Sequence, residues 1–126
     1  MALRYRIRMK HLPGTHLLID LYGAAHLADA ARIEAALRAA ADAARATVIA
    51  AHFSSFPGSA GVTGMLLLAE SHISIHTWPE LGYAAVDIFV CGVGDAQAAR
   101  IALETALRPD RVEVTAVPRW RDQRNQ

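Results

Sequence analysis

The rhythm of apolar and polar residues changes several times along this chain, and each change marks an element. His16-Leu-Leu-Ile-Asp-Leu-Tyr22 is a short, mostly apolar run closed by Gly23, which predicts a strand. From Asp29 to Arg45 the period lengthens. Ile33, Leu37, Ala40 and Ala44 recur on one face at helical spacing, so the segment predicts an amphipathic helix. Thr47 to Phe53 predicts a second strand, and Phe56-Pro-Gly-Ser-Ala-Gly61 a loop of turn-forming residues. Val62 to Leu68 and His72 to Thr77 predict strands flanking an Ala69-Glu70-Ser71 corner. Trp78 to Gly82 predicts a turn, and Tyr83 to Cys91 a strand ended by Gly92 and Gly94. Asp95 stands where an N-cap belongs, ahead of a helix to Leu107 that would bury Ala99, Leu103 and Leu107. Val112 to Val117 alternates as a last strand. Met1 to Leu12 is a polar, basic lead-in ended by a Pro13-Gly14 turn, and Arg119 to Gln126 is expected to fray.

The resulting order, β-α-β-β-β-β-α-β, predicts one α+β domain spanning residues 1–126. Its expected architecture is a two-layer α/β sandwich, a mainly antiparallel sheet with two helices on one face. That leaves the other sheet face open. Apolar residues on both sides of the 83–90 strand suggest that a second subunit covers it, making a dimer.

Composition narrows the class. A hydrophobic share of 53% against 20% charged residues argues against disorder over most of the chain. A formal net charge of +1 gives no argument for nucleic acid. The basic clusters are Arg4, Arg6, Arg8 and Lys10 at one terminus and Arg119, Arg121 and Arg124 at the other, where solvated tails are usual. A single cysteine precludes an intrachain disulfide and fits a reducing, cytoplasmic setting. The lead-in has no apolar signal-peptide core, and the longest apolar run, Gly64 to Ala69, is far short of the roughly 20 residues a bilayer span needs. A soluble protein with no membrane partner is expected.

The chemistry concentrates in Leu68-Ala-Glu-Ser-His-Ile-Ser-Ile-His-Thr-Trp-Pro-Glu80. Ser71 as a recurrent hydrolase nucleophile lacks the Gly-x-Ser-x-Gly elbow that would expose its hydroxyl, and read alone it is as much a turn residue. His72 and His76 are four apart and would share one face of a strand. They could ligate a metal, but no third ligand stands at convincing spacing, so no metal site is expected. A hydrogen-bonded pair and a proton-transfer role both stay open. Cys91 alone reads as a strand-end thiol, and Thr63, Asp20, Phe56 and Trp78 singly as core or turn residues.

Together these residues say more. The 68–80 stretch, then Gly82-Tyr-Ala-Ala-Val-Asp-Ile-Phe-Val-Cys-Gly92, closely resembles the prokaryotic S-adenosylmethionine decarboxylase proenzymes. Gly14-Thr-His-Leu-Leu-Ile-Asp-Leu-Tyr-Gly23 is similar to their N-terminal strand, and Gly61-Val-Thr-Gly64 to the segment before their processing site.

The resemblance implies a chain that cuts itself between Glu70 and Ser71 into 1–70 and 71–126, leaving a covalent pyruvoyl cofactor derived from Ser71. A serine suits this because its oxygen can both attack and leave, and a tight corner would add strain. By the same resemblance His76 removes the serine α-proton, Thr63 supplies a hydroxyl that aids processing, and Cys91 donates the proton that follows decarboxylation. The pyruvoyl ketone would form a Schiff base with the substrate amine. Phe56 matches an aromatic that stacks on adenine, Glu80 a carboxylate that holds the ribose, and Asp20 an acid near the charged end of the substrate. A homodimer shares each site: the pyruvoyl and Cys91 from one subunit, His76, Thr63, Phe56 and Glu80 from the other. The expected product is the aminopropyl donor of spermidine synthesis.

Three departures bear on the substrate. Phe53-Ser-Ser-Phe56 stands where the family has Phe-His-Arg-Phe, the 57–61 loop is about one residue longer, and Ala24 replaces a frequent cysteine. Some relatives run the same pyruvoyl chemistry on L-ornithine or L-arginine, and these remain the alternative substrates. A processing-dead homologue that serves as a structural partner is a third reading.

Overall fold

The computed structural model describes residues 14–120. The 1–12 lead-in with its basic cluster, Pro13, and the tail from Arg121 onward lie outside the described residues. Six strands form one antiparallel sheet: β1 (Gly14–Tyr22), β2 (Val48–Ser55), β3 (Val62–Leu68), β4 (Ser71–Trp78), β5 (Tyr83–Val90) and β6 (Arg111–Arg119). Two helices complete the fold, α1 (Ala30–Ala43) and α2 (Ala96–Leu107). The order across the sheet is β2-β3-β4-β5-β1-β6, so β2 to β5 form a meander and β1 enters between β5 and β6. Every pairing is antiparallel.

Alternation within the strands decides which face the helices cover. Leu17, Ile19 and Leu21 of β1, Ile73 and Ile75 of β4, and Val86 and Ile88 of β5 all lie under the helices at 4% exposure or less. Ile33, Leu37 and Ala40 of α1, with Ala44 just past its end, face them, as do Ala99, Leu103 and Leu107 of α2, as the helical spacing predicts. Each large aliphatic side chain buried this way stabilises the fold by about 1.5–3 kcal/mol before entropy is counted. Alanine along α1 lets helix and sheet approach closely.

Both helices start where a side chain can take up a free backbone N–H. Asp95 Oδ1 accepts from the Ala98 N–H at 2.9 Å, and Asp29 Oδ1 from that of Arg32 at 3.1 Å. The predicted 78–82 turn is a 3₁₀ turn over Pro79–Leu81, and Gly82 ends it in the left-handed region at φ 63°.

Several strand boundaries move. Gly14 is not turn but the first residue of β1, paired with Arg119, so β6 runs two residues beyond Val117 and takes in Arg119, which the sequence assigned to the fraying tail. Ser71 leaves the corner and opens β4. Pairing with β1 and β3 respectively extends both strands past the point where composition alone ends them.

Candidate functional site

The corner between β3 and β4 is tighter than its sequence suggests. Leu68 pairs with Ser71, leaving only Ala69 and Glu70 to reverse the chain. Glu70 takes φ 61°, a left-handed conformation that turns of this kind normally give to glycine or asparagine. With a Cβ in place this costs about 1–2 kcal/mol. The strain therefore sits at the residue whose carbonyl joins Ser71.

Ser71 points to the helix-covered face and is buried at 9% exposure. Its Oγ accepts a hydrogen bond from the Cys91 N–H at 3.0 Å. Across the sheet β5 ends beside the start of β4, which is how residues twenty positions apart meet. Around them lies a cavity of about 230 Å³ lined by Glu70, Ser71, Cys91, Arg45, Thr47 and Val93. Arg45 sits beyond α1, where its guanidinium donates to the Val93 carbonyl at 3.4 Å.

A second group forms on the open face, at the other end of β4. Thr63 and His76 are directly opposed, with Thr63 Oγ1 3.2 Å from His76 Nδ1. The same row continues through Ala85 to Asp20. Because Ala85 is small, a hollow of about 240 Å³ remains above it, lined by Asp20, His76, Ser74, Asp87 and Leu18. Asp20 accepts from the Tyr83 hydroxyl at 2.5 Å. That hydrogen bond, then burial and the Asp20 charge, push the phenol up to about 12.

Phe56 and Glu80 belong to this second end. The Phe56 N–H donates to the Gly61 carbonyl at 2.8 Å, closing the 56–61 loop. A Cβ on Gly61 would stand 2.8 Å from the Thr77 carbonyl oxygen, so glycine lets the loop tuck beside the Trp78-Pro79 turn that carries Glu80. Both the Phe56 ring and Glu80 are exposed. Thr77, not singled out in the sequence, ties this end down: its buried hydroxyl donates to Leu27 O at 2.7 Å and accepts from Val62 N–H at 2.8 Å.

One chain does not bring the two groups together. Ser71 and His76 sit an odd number of residues apart on one strand, so their side chains leave opposite faces. Along the strand they are roughly 16 Å apart at the usual rise. Ser71, Glu70 and Cys91 form one half, and Thr63, His76, Asp20, Phe56 and Glu80 the other.

The structure also gathers a cluster that reading along the chain missed. His72 and His76 separate, but His16 from β1 and Asp87 from β5 join His72, with donor atoms within 4.8 Å of one another. Sheet pairing, not spacing along the chain, brings these groups to His72. His16 Nε2 is hydrogen-bonded to Asp87 Oδ1, and His72 Nε2 lies 4.0 Å from Asp87 Oδ2. Arg119 Nη1 is 3.2 Å from His16 Nδ1. A guanidinium only donates, so Nδ1 accepts and Nε2 carries the proton directed at Asp87. In that tautomer Arg119, His16 and Asp87 form one hydrogen-bonded chain that ends beside His72.

Comparison with known proteins gives the family. Residues 15–120 match the S-adenosylmethionine decarboxylase family. The S-adenosylmethionine decarboxylase proenzyme of Thermomicrobium roseum is 43% identical over 112 residues, covering 88% of this chain and 96% of that one. That of Methanococcus vannielii is 45% identical over 114 residues, covering 88% and 92%. The crystal structure of the adenosylmethionine decarboxylase from Aquifex aeolicus superposes with a TM-score of 0.76 at 39% identity, covering 90% of this chain and 94% of that one. These matches, which run across the whole antiparallel sheet and its Glu70-Ser71 corner, place this chain in a known group: it belongs to the S-adenosylmethionine decarboxylase family.

Proposed function

We propose that this chain is a proenzyme that cleaves itself at Glu70-Ser71 and then decarboxylates S-adenosylmethionine, with Ser71 converted to the pyruvoyl group. The observation that carries the reading is the left-handed Glu70 joined to a buried serine whose Oγ is already hydrogen-bonded by the Cys91 N–H. The relatives' description as proenzymes supports it.

In processing, Ser71 Oγ attacks the Glu70 carbonyl carbon, and the C–N bond between the two residues breaks as an ester forms. Relief of the left-handed corner favours that step. The Cys91 N–H, aimed at Oγ, stabilises negative charge on that oxygen as it attacks and as it leaves. A base then removes the Ser71 α-proton, the Glu70 carboxylate departs with Oγ, and water replaces the nitrogen, releasing ammonia. His76 is assigned the proton removal and Thr63, at 3.2 Å, orients its imidazole.

The residues fit the group they would generate, since Ser71 lies at a strand start beside a cavity and a thiol. When formed, the ketone supplies an electron sink of the kind pyridoxal phosphate provides elsewhere. Cys91 is assigned the proton donation that follows loss of CO2, Phe56 the adenine face, Glu80 the ribose hydroxyls and Asp20 the charged end of the substrate.

Because the two halves leave opposite faces and opposite ends of β4, we assign the complete site to a homodimer, with Ser71 and Cys91 from one copy and His76, Thr63, Phe56 and Glu80 from the other. Exposed Leu18, Met65 and Leu67 on the open sheet face, at 44–46% exposure, support burial of that face against the second copy. Among the described residues no helix is long and apolar enough to cross a membrane. The lone cysteine supports work in the reducing cytoplasm.

A 14CO2-release assay on purified protein, with S-adenosylmethionine, ornithine and arginine in parallel, tests the substrate. Release from S-adenosylmethionine alone is expected; release from an amino acid alone sinks that assignment. On a denaturing gel the protein should run as fragments 1–70 and 71–126, and Ser71→Ala as one band.

A further inference from the structure

Self-cleavage at Glu70-Ser71, on which this inference rests, strips residue 71 of its own anchors. Elimination carries away Oγ, the atom that accepts the Cys91 N–H, and hydrolysis replaces the backbone nitrogen with a ketone oxygen. The Leu68–Ser71 pair also loses its covalent closure, because the cut falls between the two-residue turn and β4. Residue 71 is then tethered by its bond to His72 alone. His72 is also the first residue of β4 paired on both sides, with Leu67 of β3 and Phe89 of β5.

The side chain of His72 is held where its backbone meets this new end. Its ring packs on Phe89 at a centroid distance of 5.8 Å and stands edge-on to His16 at 6.0 Å. Phe89 in turn carries His16 at 5.3 Å and the Arg119 guanidinium at 5.6 Å. Asp87 lies between the two imidazoles, bonded to His16 and 4.0 Å from His72, while Arg119 fixes the far side of His16. The chain Arg119–His16–Asp87–His72 therefore crosses four adjacent strands, β6, β1, β5 and β4, and ends one bond from the reacting residue.

We propose that Arg119, His16, Asp87 and His72 are positioning residues that clamp the chain end created by cleavage, holding the ketone in one orientation beside Cys91. None of them touches the reacting atoms; they act through the backbone of residue 72. In the uncut chain the clamp is redundant, because the 69–70 turn already fixes residue 71 even where alanine removes the Oγ that accepts from Cys91.

That redundancy separates a clamp from an ordinary structural contact. Hydrogen–deuterium exchange by mass spectrometry is compared in four proteins: wild type, Asp87→Asn, and each in the uncleaved Ser71→Ala background. The clamp requires Asp87→Asn to speed exchange at the start of β4 about tenfold in cleaved protein and less than about twofold in Ser71→Ala. In the cleaved enzyme kcat should fall about tenfold with KM within about twofold of wild type. Equal acceleration in both backgrounds, or none in either, overturns the clamp while leaving the cleavage reading intact. A wild type that stays one chain overturns both. If Asp87→Asn does not fold or cleave, Arg119→Gln, at the exposed end of the chain, carries the same comparison with the same two outcomes.

Discussion

The backbone N–H of Cys91 donates to the hydroxyl of Ser71 at 3.0 Å, joining the end of β5 to the start of β4 at the point where the chain is strained. Two residues assigned to successive chemistries, one to building the cofactor and one to using it, are thus in contact before either acts. The consequence is a separation of roles that mutation can read.

Cys91→Ala keeps the backbone N–H and so keeps the hydrogen bond to Ser71. It should cleave at close to the wild-type rate yet lose decarboxylation by about 10²–10⁴-fold, the usual weight of a positioned proton donor. Fragment appearance by mass spectrometry and 14CO2 release measure the two steps separately. Loss of cleavage in parallel with turnover would mean that the thiol itself serves processing.

Glu70 sits in the left-handed region with a full side chain. In the uncleavable Ser71→Ala background, Glu70→Gly should raise stability by about 1 kcal/mol, seen as a higher midpoint in urea denaturation. With Ser71 retained, the same change should slow cleavage severalfold, since less strain is released. An unchanged midpoint together with unchanged cleavage would remove strain from the mechanism.

Tyr83 has its phenol raised to about 12 from an ordinary value of 10.0, chiefly by the hydrogen bond to Asp20. The neutral phenol is the form the fold favours, so this contribution is complete below pH 10 and is lost as pH climbs toward 12. Tyr83→Phe in the Ser71→Ala background should cost about 1 kcal/mol at pH 8, and the difference should shrink across that alkaline window. Ultraviolet titration of the phenolates should show one signal missing from the last to ionise. A difference that stays constant with pH counts against the Asp20 bond as its source.

If sites are shared between copies, inactive variants should rescue each other. His76→Ala and Cys91→Ala, denatured together and refolded, would give mixed dimers in which one site of two holds an intact set. Activity should return to about a quarter of wild type for random pairing. Refolded mixtures as inactive as either parent would place His76 and Cys91 in the same subunit's site.

Apolar patterning and turn residues located both helices and all six strands, and in the helices and in β1, β3, β4 and β5 the buried positions repeat at 3.6 or 2 residues. Ile33, Leu37, Ala40 and Ala44 read as one stripe in the sequence and are all buried. The Leu68–Glu80 motif likewise marked its chemistry by residue type and order, and the Asp95 cap by position. Those properties are local, and a linear chain displays them in full.

What depends on pairing was hidden. Sequence order keeps Ser71 twenty residues from Cys91 and five from His76, yet folding joins the distant pair and parts the near one. Strand alternation sends the side chains of Ser71 and His76 to opposite faces, while β4–β5 pairing sets Ser71 against Cys91. The left-handed φ of Glu70 follows from the Leu68–Ser71 register, which leaves two residues to make the turn, and nothing in the identity of glutamate announces it. The His16–Asp87–His72 cluster draws one residue from each of three strands. Resemblance to a known family implied the reaction class; only the register of β1, β4 and β5 decided which groups can touch, because contact in a sheet runs across strands and not along them.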